Sequence, residues 1–500
     1  MTPLIGQWQR LSPWAMAILF TGSVARFLRE NVPLLLGAGA GAALLERIGL
    51  RELALAALFL LLLGALVSLL RYRRFRFRLD GDVLIVRQGI LEQRELKVGA
   101  ERVQQIMIEQ PAYMRPFDVV RFTVDTPGGV TAEVELPGIR RPQAEALRAA
   151  LDTAREASGA GEGANRPVAG SGAVILFRAT AGGLVLHGVA SNHAYVAAAA
   201  AAPLIQPLER LVIRRLEGFA DRAWVDTLLA SPGLAVVLFL VALAVTLVLV
   251  SVAVAWLRFS GFLLLRDGER FVQRSGLLTR RERTLSSPKL QSVEWVETLI
   301  GRGLGRGYLV CRQYGGGRGP DQAGERFIVP ALDRPGGDRL AHAFWAGLPP
   351  GEGFLSLDHQ RVHPLYRRVV AIRLGLLATL SAGALALIGG HAGWLLLIPA
   401  ALVVTAPAGH LRWLAVGWRR QGRYLLVRRG LLGRRTSVFP LHNIQAVALR
   451  ESYLQRRHGL ATLRLQLASG PVSLPYIDRA TALALANASI HLAETQDPVR

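Results

Sequence analysis

The sequence predicts an α+β multidomain membrane protein. The predicted protein has six transmembrane helices in three hairpins. Each hairpin is followed by a cytoplasmic β-barrel or β-sandwich with a C-terminal helix. Three observations predict this fold class. Apolar residues make up 51% of the chain and are gathered in long uncharged runs. Arginines are concentrated at one end of those runs, and the segments between them repeat three times in one register.

The composition limits the class of partner. The 500 residues combine a net charge of +23 with a mean hydropathy of +0.32, so basic and apolar residues must occupy different parts of the chain. This charge suits the anionic headgroups of a membrane, whereas nucleic-acid binding needs a recognisable basic fold, which the sequence lacks. Cys311 is the only cysteine, which excludes an intrachain disulfide and a cysteine-rich zinc site.

Residues 1–31 form the first element. They lack a compact apolar core followed by a small-residue cleavage site, so we do not predict a cleaved signal peptide. Aromatic residues and arginines are mixed here, which favours an interfacial segment ahead of the first span. These residues are Trp8, Trp14, Phe20 and Phe27, together with Arg10, Arg26 and Arg29.

Six spans follow at about 20 residues per crossing. The clearest is residues 233–257, which contain no charged residue. Residues 374–409 have no formal charge over 36 positions, which is too long for one crossing, so we predict that this run folds back at 389–393. The other spans are residues 32–45, 53–70 and the alanine-rich, weakly hydrophobic 182–206.

Arginine sets the predicted orientation. The motif RYRRFRFR (71–78) follows the second span, RRVVAIR (367–373) precedes the fifth, and RRQGR (419–423) follows the sixth. The opposite ends are neutral or balanced in charge, as in the 207–231 connection. The positive-inside bias therefore predicts that the large segments after the hairpins, and both termini, are cytoplasmic.

A threefold repeat organises the cytoplasmic segments. In each copy a signature glycine precedes a signature glutamine by 15 positions, without a gap. An alternating strand, a proline-bearing strand end and a helical segment follow. The signature residues are Gly89 and Gln104, Gly276 and Gln291, and Gly430 and Gln445, and we interpret them as structural.

The glycine- and arginine-rich run LIGRGLGRGYLV (299–310) is similar in composition to a phosphate-binding loop. The repeat register argues against that reading, because the other two copies lack the glycines and no GK[ST] motif follows. Gly305 aligns with Asp118 and Gly459, and all three are turn formers placed directly before a strand. We therefore predict a hairpin turn with a positive φ at these positions.

A pair of membrane helices followed by the pattern dG.L.i..G.l..r......iQ.v resembles the bacterial pleckstrin-homology-like domain family, type 2. Three such units in one chain resemble a three-repeat subgroup of that family, and the resemblance covers nearly the whole sequence. It implies a PH-like fold for each cytoplasmic unit, a location in the bacterial inner membrane and a poorly defined biochemical role. It also implies a smaller membrane partner with one such unit.

Basic residues after the second span and around the signature glycines are the candidate functional residues. In PH folds a basic early hairpin commonly faces lipid headgroups, and each membrane-proximal Arg can contribute about 1 kcal/mol of attraction. The alternative, topology and solubility without a specific ligand, stays equally open. The candidates for facing a membrane or a partner are Arg71, Arg73, Arg74, Arg76, Arg94, Arg280, Arg281, Arg283, Arg434 and Arg435.

The function predicted from these features is a non-enzymatic, membrane-anchored assembly or lipid-facing scaffold. We predict no catalytic residue, metal or cofactor, and no nucleic-acid partner. The alternative is a component of a transport, export or resistance complex that works with the smaller partner. The predicted division is 1–31, hairpin 32–70, domain 71–156, linker 157–172, hairpin 173–257, domain 258–345, linker 346–366, hairpin 367–417, domain 418–495 and tail 496–500.

Overall fold

The structure is a computed structural model that describes residues 6–16, 20, 50–89, 92–103, 105–125, 134–157, 174–191, 232–313, 327–345, 348, 353, 355, 358–389, 397–431 and 433–495. The chain divides into two compact units. The first unit is Met1–Ile175 with Leu265–Ser286, and the second is Leu176–Leu264 with Ser287–Arg500. The first unit therefore includes strands of the second sequence repeat.

The first unit begins with the N-terminal sheet of the first repeat. Its elements are β1 (Gln9–Arg10), α1 (Leu50–Arg74), β2 (Arg76–Asp80), β3 (Val83–Gln88) and β4 (Arg94–Gly99). The four strands pair in the order β1-β2-β3-β4. Only Phe75 separates the end of α1 from the start of β2, so the helix runs directly into the sheet.

A second sheet in this unit combines two repeats. Its strands pair in the order β7-β6-β5-β11-β10-β9-β8, and β8 and β9 lie at the boundary with the second unit. The elements are β5 (Gln105–Pro111), β6 (Val119–Asp125), β7 (Val134–Arg140), α2 (Arg141–Ala157), β8 (Val174–Arg178), β9 (Leu263–Asp267), β10 (Arg270–Ser275) and β11 (Thr279–Ser286).

The core of the first repeat is formed by both sheets and α2. Phe77 and Leu79 of β2, Phe122 of β6 and Leu147 of α2 are between 0% and 2% exposed. Strand residues enter this core at every second position and α2 residues at helical spacing, which is the pattern of an amphipathic element with one buried face. Burial of such side chains stabilises each by about 1.5–3 kcal/mol.

The second unit contains the rest of repeat two and all of repeat three. One sheet has the order β14-β13-β12-β18-β17-β16-β15, and a smaller one has the order β19-β20-β21. The strands are β12 (Leu290–Glu297), β13 (Arg306–Gln313), β14 (Phe327–Asp333), β15 (Gln360–Arg361), β16 (Gly417–Gln421), β17 (Tyr424–Arg429), β18 (Arg434–Pro440), β19 (Ile444–Arg450), β20 (Leu460–Leu467) and β21 (Gly470–Asp478).

The helices of the second unit include the most apolar segments described. They are α3 (Ala181–Ala190), α4 (Pro232–Phe259), α5 (Leu299–Gly303), α6 (Arg334–Phe344), α7 (Leu365–Gly389), α8 (Leu397–Leu414), α9 (Tyr453–Arg457) and α10 (Arg479–Thr495). Helices α7 and α8 pack antiparallel, because Gly409 lies against the backbone of Arg367 while Gly375 lies against Leu402. Small residues permit this close approach.

Among the described residues, two helices are long and apolar enough to cross a membrane, Leu240–Phe259 within α4 and Leu365–Gly389. The sequence predicted six spans. Of the others, residues 32–45 lie outside the described residues, 53–70 are helical in α1, and residues 397–409 are helical in α8. The arrangement in three hairpins therefore stays a prediction.

The predicted third span, 182–206, differs in its described part. Helix α3 ends at Ala190, and the residues after 191 lie outside the described residues. Helix α3 packs against β13, β14 and α4. Gly188 allows this packing, since a Cβ there would lie 2.5 Å from the Cα of Val252, and the carbonyl oxygen of Gly188 accepts a 2.7 Å hydrogen bond from Ser251.

A strand precedes each predicted hairpin, which the sequence analysis missed. Strands β1, β8 and β15 pair with β2, β9 and β16, the first strands after the hairpins. The predicted interfacial segment 1–31 is accordingly corrected in its described part: Leu11 and Ala15 are buried in the core of the first repeat, and Trp14 stacks on Phe117 at 3.7 Å. Strands of two to five residues are too short to show a periodic pattern.

The turn prediction is confirmed by the backbone. Asp118, Gly305 and Gly459 have φ values of 50°, 64° and 66°, as their alignment before β6, β13 and β20 predicts. The run 299–310 is nevertheless more than a hairpin turn. Thr298 caps the one-turn helix α5 through its side chain, and β13 begins at Arg306. Gly301 and Gly307 are needed for packing, because a Cβ on either would clash with neighbouring atoms.

Candidate membrane-facing loops and interdomain junctions

Three equivalent loops, which we call the signature loops, begin at the signature glycines. They are Gly89–Gln93, Gly276–Leu278 and Gly430–Gly433. In the first repeat Arg76, which follows α1, pairs with Arg87 at the end of β3. In the third repeat Gly417, which follows α8, pairs with Arg428 near the end of β17. In these two repeats the signature loop therefore lies at the end of the hairpin where the preceding long helix enters the sheet.

The signature glycines are required by the loop backbone. Gly89, Gly276 and Gly430 have φ values of 119°, 112° and 114°. Residues with a side chain rarely adopt this backbone conformation. A Cβ on Gly89 would lie 1.9 Å from the carbonyl oxygen of Glu92, and one on Gly430 would lie 2.0 Å from that of Gly433. The structural interpretation of these glycines rests on this geometry.

The second and third signature loops expose leucines, and arginines are exposed beside the first and second loops. Leu277 and Leu278 are 46% and 53% exposed, and Leu431 is 38% exposed. Arg280 is exposed next to the second loop, and Arg94 next to the first, where it forms a 3.4 Å ion pair with Glu92. Exposed leucines flanked by arginines are suited to the interface of an anionic membrane.

Two junctions join consecutive repeats through strand pairing. At the first junction β5 of repeat one pairs with β11 of repeat two, and at the second junction β12 of repeat two pairs with β18 of repeat three. The register is the same in both. The residue three places after the signature glutamine lies opposite the residue seven places after the signature glycine, namely Met107 opposite Arg283 and Glu294 opposite Ser437.

Ion pairs reinforce the first junction. From α2, Arg148 donates to Glu282 at 2.8 Å and to Thr284 at 2.6 Å, and Asp152 pairs with Arg270 at 3.0 Å. Burial raises the pKa of Glu282, but the charges of Arg148 and Arg274 outweigh it, so that the pKa of this carboxyl lies below its ordinary value. The helix of one repeat is thereby fixed to the strands of the next.

An arginine cluster surrounds Glu297 at the second junction. The Glu297 side chain is 1% exposed, pairs with Arg334 at 2.8 Å and lies opposite Arg434 in the sheet. Burial and the neighbouring charges of Arg428 and Arg302 lower the pKa of Arg434 to about 10. Arg302 is one of the two arginines of the glycine-rich run, so this run contributes positive charge to the junction.

A polar cavity of about 450 Å³ lies on another part of the second junction. Glu294 at its wall binds Arg312 at 2.9 Å and approaches Arg435 at 3.7 Å. Arg312 also donates to the carbonyl oxygen of Ser469, at the turn between β20 and β21, at 3.1 Å. Arg429 lines the same cavity, and burial lowers its pKa. Three arginines and one carboxylate leave the cavity walls positive.

The predicted basic residues fall into two groups. Those at the end of α1 and beside the first two signature loops are exposed: Arg71, Arg73, Arg74, Arg76, Arg94 and Arg280. The others belong to the junctions. Arg283 is 4% exposed, Arg281 binds Glu109 at 2.9 Å, and Arg434 and Arg435 lie at the second junction beside Glu297 and Glu294.

The signature glutamines are placed differently from one another. Gln104 lies outside the described residues. Gln291 at the second junction is 8% exposed, whereas Gln445, in β19, is exposed to solvent. Sequence analysis also missed a repeated ion pair: the first residue of the C-terminal helix binds a glutamate six places after the signature glutamine, Arg334 to Glu297 and Arg479 to Glu451, both at 2.8 Å.

Comparison with known sequences agrees with this repeated architecture. The sequence profile described as Bacterial PH domain matches the chain three times, at residues 33–155, 215–344 and 369–493. The chain belongs to the bacterial PH domain family. It is also similar to the UPF0699 transmembrane protein YdbT of Bacillus subtilis (strain 168), with 22% identity over 429 residues that cover 83% of this chain and 84% of the relative. No solved structure gives a significant match.

The molecule is thus a membrane protein with three bacterial PH domain repeats. Each bacterial PH domain repeat contains four N-terminal strands, three C-terminal strands and a C-terminal helix. In repeats one and two the C-terminal strands share a sheet with the next repeat. The strand pairing between one repeat and the next comes from the structure and not from the family match. The first unit contains a sheet shared by repeats one and two, and the second unit contains a sheet shared by repeats two and three.

Proposed function

We propose that this protein is a non-enzymatic scaffold of the bacterial cytoplasmic membrane. Three transmembrane hairpins hold its PH domains against the anionic cytoplasmic leaflet, which the signature loops contact. The observation that carries the proposal is the position of the first and third loops at the hairpin end next to the preceding helix. Leucines are exposed in the second and third loops, and arginines are exposed beside the first and second. The smaller bacterial PH protein belongs to the proposal as a partner, and co-purification tests it.

Strand pairing supports the hairpin topology independently of hydropathy. Strands that hydrogen-bond to one another must lie on the same side of a membrane. Because β1 pairs with β2, β8 with β9 and β15 with β16, an even number of crossings between the members of each pair is favoured. The two junctions extend this argument to all three repeats, since they link repeat one to two and repeat two to three.

A depth measurement tests the lipid contact. The full chain, with Cys311→Ala, would carry a single cysteine at Leu278 or at Glu269, which lie beyond the opposite ends of strand β10. Each is labelled with an environment-sensitive dye in vesicles that contain lipid-attached quenchers. The two positions are separated by about 20–30 Å, since a strand rises about 3.3 Å per residue.

The proposal predicts strong quenching at position 278 and weak quenching at 269. It further predicts that quenching at 278 rises with the anionic lipid fraction and falls with salt. Arg94→Gln combined with Arg280→Gln would reduce the quenching, whereas Arg420→Gln, near the far turn of the β16–β17 hairpin, would not. Equal quenching at 278 and 269 contradicts lipid contact by the loop.

A further inference from the structure

We propose that two copies of this chain associate through strand edges that belong to the first and last repeats. Strand β19 of one copy pairs antiparallel with β4 of another copy, in the register of the two internal junctions. This inference concerns assembly and does not depend on the lipid contact proposed above. It follows from a comparison of equivalent strands in the three repeats.

Both internal junctions use the same two strand types. One is the first strand after a signature glutamine, β5 or β12, and the other is the strand after a signature loop, β11 or β18. The strand after the third signature glutamine is β19, and the strand after the first signature loop is β4. Among the described strands β19 pairs only with β20, and β4 pairs only with β3. The first repeat therefore has a β4 edge, and the third repeat a β19 edge, of the two types that pair at the internal junctions.

Burial shows what the missing neighbour would cover. In β12, which is paired on both sides, all eight residues are buried. In β19, by contrast, Gln445, Ala446, Ala448 and Arg450 are exposed. An edge strand with alanines and no charge before its last residue is poorly protected against pairing. The strand after the signature glutamine is thus buried in the second repeat and partly exposed in the third.

The charges of β4 do not prevent pairing. This strand has the sequence RELKVG, and charged residues often protect sheet edges. However, β11 carries three arginines and a glutamate in TRRERTLS and is nevertheless paired with β5 at the first junction. Strands of this type therefore accept a neighbour despite their charge.

Side chains near the two edges are compatible with the same geometry. At the first junction Asp152 of α2 reaches Arg270 at 3.0 Å. In the repeat alignment Asp152 corresponds to Ile490, which is 47% exposed, and Arg270 corresponds to Val83, which is half-buried. Two copies joined in the internal register would bring Ile490 towards Val83, replacing an ion pair by an apolar contact.

One position opposes the pairing and provides a test of register. The internal register places Arg450 opposite Arg94, where the first junction has Glu109 opposite Arg281. Both arginines are exposed. Like charges at directly opposite exposed positions weaken pairing only modestly. The association is therefore predicted to be reversible and to strengthen when one of these two charges is inverted.

Cross-linking of the full chain in vesicles tests the contact. Chains carrying Cys311→Ala with either Arg94→Cys or Arg450→Cys, each with a different tag, are reconstituted together and oxidised. We expect a mixed disulfide containing both tags, because directly opposite strand residues lie within disulfide range. The matched control replaces Arg450→Cys with Ala446→Cys, which lies about 13 Å out of register. It should give at most a small fraction of the product.

Three results overturn the proposal. One is the absence of a mixed disulfide, and another is equal cross-linking by the control. A third is an intramolecular disulfide in the double variant Arg94→Cys/Arg450→Cys, which would show closure within one chain. Chains that retain Cys311 provide a check of folding, since burial of this thiol should protect it from reaction until the protein unfolds.

Charge inversion gives a second, independent readout. The associated fraction is measured in vesicles by fluorescence transfer between labelled copies. Arg94→Glu is expected to increase the association constant about 3- to 10-fold, and Arg94→Glu with Arg450→Glu is expected to return it to near the starting value. The control Glu269→Arg, at the exposed turn between β9 and β10 in the second repeat, should leave it unchanged. An association constant insensitive to all of these changes would overturn the proposed register.

Discussion

Arg148 of the first repeat donates a 2.8 Å hydrogen bond from Nη1 to Oε1 of Glu282 in the second repeat, 134 positions away. The same guanidinium group donates to Thr284 at 2.6 Å. A helix that closes one PH domain is thereby bonded to a strand of the next one. Loss of either partner leaves a largely buried charge without its main counter-ion, so the junction depends on both.

Replacement of Arg148 by Met or of Glu282 by Gln should destabilise the protein by about 1.5–3 kcal/mol, the range for a hydrogen bond to a charged group. The double variant should lose less than the sum, because the pair is coupled. Thermal unfolding in detergent measures this. The control pair Arg141 and Glu145, at 3.0 Å on the exposed face of α2, should change stability by less than about 0.5 kcal/mol. Equal losses at both pairs would contradict the role assigned to Arg148.

The pH dependence of stability should follow Glu282. Its pKa is lowered in the folded protein, so its contribution is present above the pKa of the unfolded chain and is lost as the pH falls through the folded value. The loss should begin below about pH 4.5, near the ordinary pKa of glutamate. The midpoint temperature of Glu282→Gln should fall less steeply with acid than that of the unmodified protein. Parallel acid profiles for the two proteins would refute the assignment.

The signature glycines should be intolerant of a side chain. Gly430→Ala places a Cβ 2.0 Å from the carbonyl oxygen of Gly433 at a φ of 114°, so the loop must rearrange. Gly422→Ala, at a φ of 58° with open space around it, should cost only about 1–2 kcal/mol. Gly303→Ala, which has open space and no positive φ, should cost nothing measurable. Denaturation midpoints rank the three variants, and any other order contradicts the geometry.

In the arginine cluster around Glu297, loss of the Arg434 charge and loss of the Glu297 charge should have different effects on stability. Because the pKa of Arg434 is lowered to about 10, the folded state disfavours the charged form of this residue at neutral pH. Arg434→Gln should therefore leave the midpoint temperature unchanged or raise it, whereas Glu297→Gln should lower it. The sign of the two shifts, measured at pH 7, is the readout. A large loss on Arg434→Gln would show that Arg434 is a required partner.

Cys311 should be silent in the folded protein. It is 2% exposed and burial raises its pKa, so its reactive thiolate is suppressed. A maleimide should label it only after denaturation. Rapid labelling of the native protein would place the β13 strand in a different environment from the one described.

The sequence predicts the repeated parts of this fold well, for physical reasons. Positive φ values at Asp118, Gly305 and Gly459 follow from turn-forming residue types before alternating strands. For the signature glycines the sequence predicts only a structural role, and their positive φ values come from the structure. Local chemistry and the threefold register are sufficient at the three turn positions.

Partners across the junctions could not be predicted from the sequence. A period-two pattern identifies β5, β11, β12 and β18 as strands but does not determine which strand lies beside which. Charged residues such as Glu282, Glu294 and Glu297 are typical of solvent-exposed faces, yet here Glu282 is half-buried and Glu294 and Glu297 are buried between repeats, all with arginine partners. Strands β1, β8 and β15 were missed because they are too short to show a periodic pattern and lie far in sequence from the strands that they pair with.

The central claim is that all three PH domain repeats lie on the same side of the membrane and are linked by shared sheets. Asp82, Glu269 and Arg423 are equivalent exposed positions, one in each repeat. Single cysteines at these positions, in chains with Cys311→Ala, can be treated with a membrane-impermeant maleimide in sealed vesicles of both orientations. The account predicts that all three react in inside-out vesicles and none in right-side-out vesicles. Reaction of any one of them from the opposite side would contradict it.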